Sequence, residues 1–149
     1  MKQTTPSSDA PRFDELSIQG FRRLYDIRLH LRPLSVLIGA NGTGKTSVLE
    51  VLSLLANSAQ AKLSDFISDL GALNSVLTYD HAQELRLGIS MTVPGYEPLE
   101  YSLTLEPQGI AYSIREEKLS QERGYPDPFL HIDSHGPDII PSLELFEAK

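Results

Sequence analysis

Residues 35–57 read SVLIGANGTGKTSVLEVLSLLAN and combine three different patterns in one stretch. Residues 35–38 form a short apolar run without alternation, which predicts a strand buried on both faces. Residues 39–46 match the pattern G-x-x-x-x-G-K-[ST] in full. Over residues 44–57 the apolar side chains recur at helical spacing, which predicts a helix. A buried strand, a glycine-rich loop and a helix in this order predict a phosphate-binding loop in an α/β fold.

The loop has the chemistry that a nucleoside triphosphate needs. Its glycines let the backbone curl so that N–H groups point at phosphate oxygens, and the helix that follows adds unpaired N–H groups and a positive dipole end. In this pattern Lys45 reaches the β- and γ-phosphates, the Thr46 hydroxyl binds Mg²⁺, and Ser47 caps the helix or touches the α-phosphate. The sequence therefore predicts a site for ATP and Mg²⁺, with Thr46 as the metal ligand, built from Gly39, Ala40, Asn41, Gly42, Thr43, Gly44, Lys45, Thr46 and Ser47.

The flanking residues predict the rest of the fold. Residues 13–19 and 26–31 have the alternation of strands, and residues 64–70 predict a second short helix. From residue 84 to residue 115 apolar residues fall at every second position, with turns at 94–95 and 107–109, so an antiparallel meander is expected there. Residues 129–133 predict one further strand. The fold class is α/β, with a mixed sheet around the P-loop helix and an antiparallel β-meander arm.

Length and composition limit the domain organisation and the location. The 149 residues suffice for one domain, and the polar residues 1–12 predict a flexible tail. Residues 13–149 are expected to form one lobe, with a P-loop core over about 13–75 and a strand arm over about 84–133. There is no cysteine and no apolar run near 18 residues, so we expect a cytoplasmic protein without a membrane span.

The net charge of −7 is distributed unevenly along the chain. Residues 1–62 carry 8 Lys and Arg against 5 Asp and Glu, whereas residues 63–149 carry 5 against 15. Binding to DNA through charge requires a basic face, which the second half lacks. The charge distribution therefore does not indicate DNA as a partner, although it does not decide the question.

The loop GANGTGKTS and the preceding LSIQGFRRLYDIRLHLRPLSVLI resemble the ABC-type ATPases of chromosome maintenance and repair. These are the RecF-type recombination proteins, the structural-maintenance-of-chromosomes proteins and the overcoming-lysogenization-defect group, together with uncharacterised bacterial predicted ATPases of the AAA/ABC superfamily. The resemblance implies the ATP-binding N-terminal lobe of an ATPase whose two heads form a homodimer around ATP. It also implies that Arg22, the basic residue after the Gly20-Phe21 turn, approaches the nucleotide.

Two elements that this family needs for hydrolysis are missing from the sequence. A Walker B strand ends in Asp-Glu, but the nearest candidate, FLHID at 129–133, is interrupted by His131 and followed by Ser134. A signature loop reads Leu-Ser-Gly-Gly-Gln, and LSQER at 119–123 shares only its first two residues. The resemblance therefore implies a lobe without its C-terminal partner lobe, which binds ATP but hydrolyses little. No catalytic residue is assigned, and ATP hydrolysis is expected of the full-length protein only.

Two other functions remain open at this point. A P-loop kinase needs a basic lid, which the acidic second half disfavours, and a GTPase needs Asn-Lys-x-Asp, which does not occur. A nucleotide-dependent interaction module would use the meander as a docking surface. His131, Asp133 and His135 alternate as metal ligands on a strand could, but no fourth ligand is evident. The simpler interpretation of these three residues is the end of a surface strand.

Overall fold

A computed structural model describes residues 10–79, 81–121 and 129–135 of the chain. The hairpin of β1 (Arg12–Phe21) and β2 (Leu24–His30) precedes the helices α1 (Lys45–Ser58), α2 (Leu63–Asp69) and α3 (Leu73–Val76). The strands β3 (Leu85–Thr92), β4 (Leu99–Gln108), β5 (Ala111–Gln121) and β6 (Phe129–His135) follow. None of the helices in this part of the chain is long and apolar enough to cross a bilayer.

All six strands form one sheet in the order β2-β1-β3-β4-β5-β6. Every neighbouring pair is antiparallel, and the register places Leu16 of β1 opposite both Leu29 of β2 and Ile89 of β3. The chain leaves the sheet after β2, forms the three helices, and returns beside β1. The hairpin and the meander are therefore parts of the same sheet.

The helices pack on the apolar face of this sheet. Alternation in β1, β3 and β4 places Leu16, Leu87 and Leu103 on the same face, because side chains of a strand point alternately to opposite sides. Val51 and Leu54 of α1 point towards that face, and both are fully buried. The remaining members of this core come from all three helices and from the strands: Ile18, Phe21, Leu24, Val48, Leu55, Leu63, Ile67, Leu73, Val76, Leu85 and Leu105.

Most elements agree with the sequence-based predictions. The predicted strands at 13–19 and 26–31 correspond to β1 and β2, and the predicted helices at 44–57 and 64–70 correspond to α1 and α2. The meander is present as β3 to β5, and its apolar face covers the helices, as the alternation requires. The strand at 129–133 corresponds to β6. The four-residue helix α3 was not predicted, because it is too short to show a period.

The predicted buried strand at residues 35–38 is wrong. These residues have no regular secondary structure, and Leu34, Val36 and Ile38 are 83%, 72% and 92% exposed. A strand buried on both faces needs hydrogen-bonded neighbours on both sides, and among the described residues none lies beside this segment. The predicted mixed sheet is also wrong. Without a strand at residues 35–38, every strand pair of the described residues is antiparallel.

Some predictions fall outside the described residues. Residues 1–9 of the predicted tail belong to this group, as do residues 122–128, which include Glu122 and Arg123 of LSQER. The first three residues of that motif are the end of β5, so they belong to a strand rather than to a loop. For β6 only the backbone of His131, Asp133 and His135 is described, and the predicted metal-site geometry of their side chains lies outside the described part.

Candidate nucleotide-binding loop

The glycine-rich loop lies on the surface and leads directly into α1. Residues 39–43 are exposed, and Gly42 and Gly44 have φ values of 80° and 101°, which favour glycine because other residues meet steric strain there. The first backbone bond of α1 runs from the N–H of Val48 to the carbonyl of Gly44 at 3.1 Å. The backbone N–H groups of Lys45, Thr46 and Ser47 have no hydrogen-bond acceptor among the described residues. The helix therefore presents three free N–H donors at the loop.

The ammonium group of Lys45 lies over the beginning of the loop. Its Nζ atom donates to the carbonyl oxygens of Gly39 and Ala40, both at 2.6 Å. The hydroxyl of Thr43 donates to the same Ala40 carbonyl at 2.9 Å. Carbonyl oxygens are neutral acceptors, so these bonds leave the positive charge of Lys45 uncompensated. An anionic phosphate oxygen is a stronger acceptor for this ammonium group than a carbonyl.

The two turn residues between β1 and β2 and the first residue of β2 pack against the loop and α1. Arg22 forms a two-point ion pair with Glu50 of α1, with N–O distances of 2.9 and 3.2 Å. Arg23 donates from Nη1 to the carbonyl of Gly42 at 2.8 Å. Leu24 lies so close to Gly44 that a Cβ atom on that glycine would be 2.6 Å from Leu24 Cδ2. Together with the φ of 101°, this contact favours glycine at position 44.

The predicted loop residues differ in their surroundings. Thr46 is exposed at the start of α1, and Lys45 is partly exposed. Ser47, by contrast, is only 8% exposed and turns towards the core beside Val48. Arg22 pairs with Glu50 of α1, whereas its neighbour Arg23 donates to the Gly42 carbonyl of the loop. Arg23 is not among the predicted site residues; the sequence signals for it are the basic charge of residues 1–62 and its position next to Arg22 in the turn.

The Thr46 hydroxyl fits one part of a magnesium site. Thr46 is exposed in the first turn of α1, one residue after Lys45, where the phosphates of a bound nucleotide would supply further oxygen ligands. The described residues hold no cluster of three or more carboxylate and histidine groups for a metal. Mg²⁺ at this place would be held jointly by the Thr46 hydroxyl and the phosphates of the nucleotide.

Carboxylates gather on the opposite face of the sheet, away from the loop. Glu84 is ion-paired with Arg86 and, at 2.8 Å, with Arg115, which also contacts Glu106 at 2.8 Å. These groups line a polar cavity of about 350 Å³. The paired carboxylates raise the pKa of Arg115, first through the hydrogen bond to Glu84. The four charged groups of this network therefore compensate one another.

Comparisons with known proteins point to one family. Residues 12–121 match the AAA ATPase domain family. The chain is 52% identical over 42 residues to the DNA replication and repair protein RecF of Acinetobacter baumannii, covering 28% of this chain and 12% of the relative. It is 39% identical over 51 residues to the OLD nuclease of Thermus scotoductus, covering 34% of this chain and 10% of the relative.

These matches cover only a small share of the relatives, since the chain spans about a tenth of their length. They nevertheless confirm the resemblance to RecF-type and overcoming-lysogenization-defect ATPases that the sequence around the loop predicted. The family match covers the β1–β2 hairpin, the loop, the three helices and the meander. On this match, which spans most of the sequence, the chain belongs to the AAA ATPase domain family.

Proposed function

We propose that this chain binds ATP with Mg²⁺ through residues 39–47. The observation that supports the proposal is an exposed loop with two cationic side chains, Lys45 and Arg23, whose partners among the described residues are loop carbonyls alone. Three free N–H groups of α1 lie beside them. Phosphate groups are the anions that such a combination binds best. Gly39 to Thr46 would surround the phosphates, and Thr46 would bind Mg²⁺.

Little hydrolysis is expected of the chain by itself. Among the described residues no carboxylate forms a hydrogen bond or ion pair with a loop residue, and the nearest one in sequence, Glu50, is engaged by Arg22. Hydrolysis needs a group that orients the attacking water. In this proposal that group belongs to a C-terminal lobe, and the complete protein is an ABC-type ATPase of the DNA repair, chromosome maintenance or phage-defence kind.

The segment before the loop supports the existence of such a second lobe. Leu34, Val36 and Ile38 are more than 70% exposed, and β2 is the edge strand of the sheet. Several large exposed apolar residues in a row usually mark a surface that another part of a protein covers. In the proposal, the second lobe covers the exposed apolar side chains of this segment. Two complete heads would then form a homodimer around ATP in the cytoplasm.

The binding step is tested by thermal unfolding with and without MgATP. At a concentration one hundred times the Kd, a ligand that binds only the folded state adds about 2.7 kcal/mol to its stability. We expect such a stabilisation in the wild type and its loss in Lys45→Ala. Lys62→Ala is the matched control, because Lys62 is also exposed but lies beyond the end of α1.

Two results would contradict this proposal. One is the absence of any stabilisation by MgATP in the wild type, and the other is an equal stabilisation of Lys45→Ala. GTP in place of ATP distinguishes the alternative of a GTPase, which would prefer GTP. The alternative of an interaction module requires the meander to offer a docking surface. The apolar face of the meander is covered by the helices, which disfavours this alternative.

A further inference from the structure

The two neighbouring arginines of the β1–β2 turn have different partners. Arg22 has a positive φ of 50°, its N–H donates to the carbonyl of Val76 at 2.5 Å, and its guanidinium group pairs with Glu50. Within the described ranges, the side chain of Arg23 makes one hydrogen bond, from Nη1 to the Gly42 carbonyl at 2.8 Å. The geometry of the turn thus directs one side chain along the helix and the next one onto the loop.

This difference decides which arginine has charge to offer a ligand. The carboxylate of Glu50 neutralises Arg22, and both of its oxygens are engaged. Arg23 has no carboxylate partner in the described part of the chain, and its one acceptor is a neutral carbonyl. A guanidinium group has five N–H donors, so four of them remain available beside Gly42. Arg23 is also exposed, and an incoming nucleotide can therefore reach it.

Arg23 and Lys45 contact the same loop in a similar way, since both donate to its carbonyl oxygens. Lys45 covers the carbonyls of Gly39 and Ala40, and Arg23 covers the carbonyl of Gly42. The Arg23 guanidinium lies directly against the loop, since a Cβ atom on Gly42 would be 3.2 Å from its Nη1. Two uncompensated positive charges therefore flank the peptide groups at which phosphates would lie. The planar guanidinium group suits a phosphate better than an ammonium group, because it can bond two oxygens at once.

We propose that Arg23, and not Arg22, supplies the second positive charge to the phosphates of the nucleotide, while Arg22 holds the β1–β2 turn against α1. The inference rests on the proposed binding of ATP at residues 39–47. It replaces the role that the family resemblance implied for Arg22. In this arrangement Arg23 keeps or exchanges its bond to Gly42 and binds phosphate oxygen with its remaining donors. Arg22 has a structural role only, because its ion pair with Glu50 joins the turn to α1.

Three variants, each changed at one position, test the assignment on the whole chain. Arg23→Gln keeps a donor for the Gly42 carbonyl but removes the charge. Arg23→Lys keeps the charge but removes the planar guanidinium group that can bond two oxygens at once. Arg22→Gln is the matched control one position away. Affinity for MgATP is measured by titration calorimetry, and the melting temperature of each protein is measured without nucleotide. The second measurement detects any purely structural role of either side chain.

Arg23→Gln is expected to weaken MgATP binding by about tenfold or more, which is the usual effect of losing a charge-assisted hydrogen bond. Its melting temperature without nucleotide should equal that of the wild type. Arg23→Lys should lose less affinity than Arg23→Gln. Arg22→Gln should keep its affinity within about threefold, because Glu50 already neutralises Arg22, and should lower the melting temperature slightly.

The contrary outcomes are distinct. If the wild type binds and Arg23→Gln binds equally well, or if Arg22→Gln loses more affinity than Arg23→Gln, the assignment is overturned while the proposed function stands. If both Arg23 variants lose affinity equally and also melt earlier without nucleotide, Arg23 only shapes the loop, which likewise overturns it. If the wild type does not bind MgATP at all, the proposed function itself fails.

Discussion

Strand β1 and the segment at residues 34–38 are both rich in large apolar residues, yet the fold treats them in opposite ways. Leu16 and Ile18 of β1 are fully buried between neighbouring strands and α1, whereas Leu34 and Ile38 are 83% and 92% exposed. The strand finds both neighbours within the described residues, one through a short hairpin and the other through β3. Residues 34–38 have no neighbouring strand among the described residues. An apolar run is buried only where the same chain, or another one, provides the surface that covers it.

The largest effect expected from this comparison concerns stability. Leu16→Ala should reduce the free energy of unfolding by about 2–5 kcal/mol, because it removes buried methyl groups and leaves a cavity. Ile38→Ala should change it by less than about 0.5 kcal/mol, because the side chain is already in water. Urea denaturation of both variants measures the difference. Equal losses of unfolding free energy would mean that residues 34–38 are packed in the isolated chain, which would contradict the contrast with β1.

A smaller effect separates the packed region from the loop. The Tyr101 hydroxyl donates to Glu117 at 2.7 Å and lies 3.3 Å from the hydroxyl of Ser58 at the far end of α1. Burial raises the pKa of Tyr101 above its usual value. Tyr101→Phe should therefore cost about 1 kcal/mol of stability through the lost hydrogen bonds. Its affinity for MgATP should stay unchanged, because the loop lies at the other end of α1.

Tyr79→Phe is the control for this prediction, since Tyr79 is 86% exposed and has no described hydrogen bond. It should unfold at the same urea concentration as the wild type. A Tyr101→Phe protein of wild-type stability would show that α1 is not anchored to the sheet at this end. A loss of MgATP affinity in the same variant would show that the loop depends on that anchor.

The smallest effect concerns the acid stability of β1. The hydrogen bond from the Thr92 hydroxyl, 2.5 Å long, is the main reason why the pKa of Asp14 lies below its usual value. A carboxyl with a lowered pKa stabilises the fold above the pKa of the unfolded chain, and this stabilisation is lost as pH falls through the folded-state pKa. The wild type should therefore exceed Thr92→Val in stability at neutral pH. The difference should shrink below about pH 4.

Melting temperatures at pH 7 and pH 3 measure this difference, which should be small because the Asp14 side chain is 36% exposed. A difference that grows towards low pH would have the wrong sign and would exclude this hydrogen bond as its cause. The exposed segment contains no such pair, so substitutions in it should show no corresponding pH dependence.

Local patterns were sufficient to predict most of the fold. Alternation in residues 84–115 and the helical period after Gly44 carry their own information, since each element repeats its signal several times. The sequence did not reveal that β3 pairs with β1, because strands more than sixty residues apart share no local signal. The buried strand at 35–38 was predicted from its composition, but its burial depends on neighbours that the described residues do not contain.

The candidate site could be predicted in the same limited way. The motif specified the loop residues because glycine, lysine and threonine stand at fixed positions with a known chemistry. It could not tell Arg22 from Arg23, since the direction of two adjacent side chains depends on the dihedral angles of one turn. The φ of 50° at Arg22 turns that side chain to Glu50 and leaves Arg23 on the loop.

The most direct measurement of the central claim is a titration of the isotopically labelled chain with MgATP, followed by amide chemical shifts in two-dimensional NMR. The claim predicts that the largest changes occur in the N–H signals of Gly42, Gly44, Lys45 and Thr46, and that they vanish in Lys45→Ala. Signals of β4 and β5 should barely move. Changes confined to the sheet, or unchanged loop signals at saturating MgATP, would contradict the assignment of this loop as the nucleotide site.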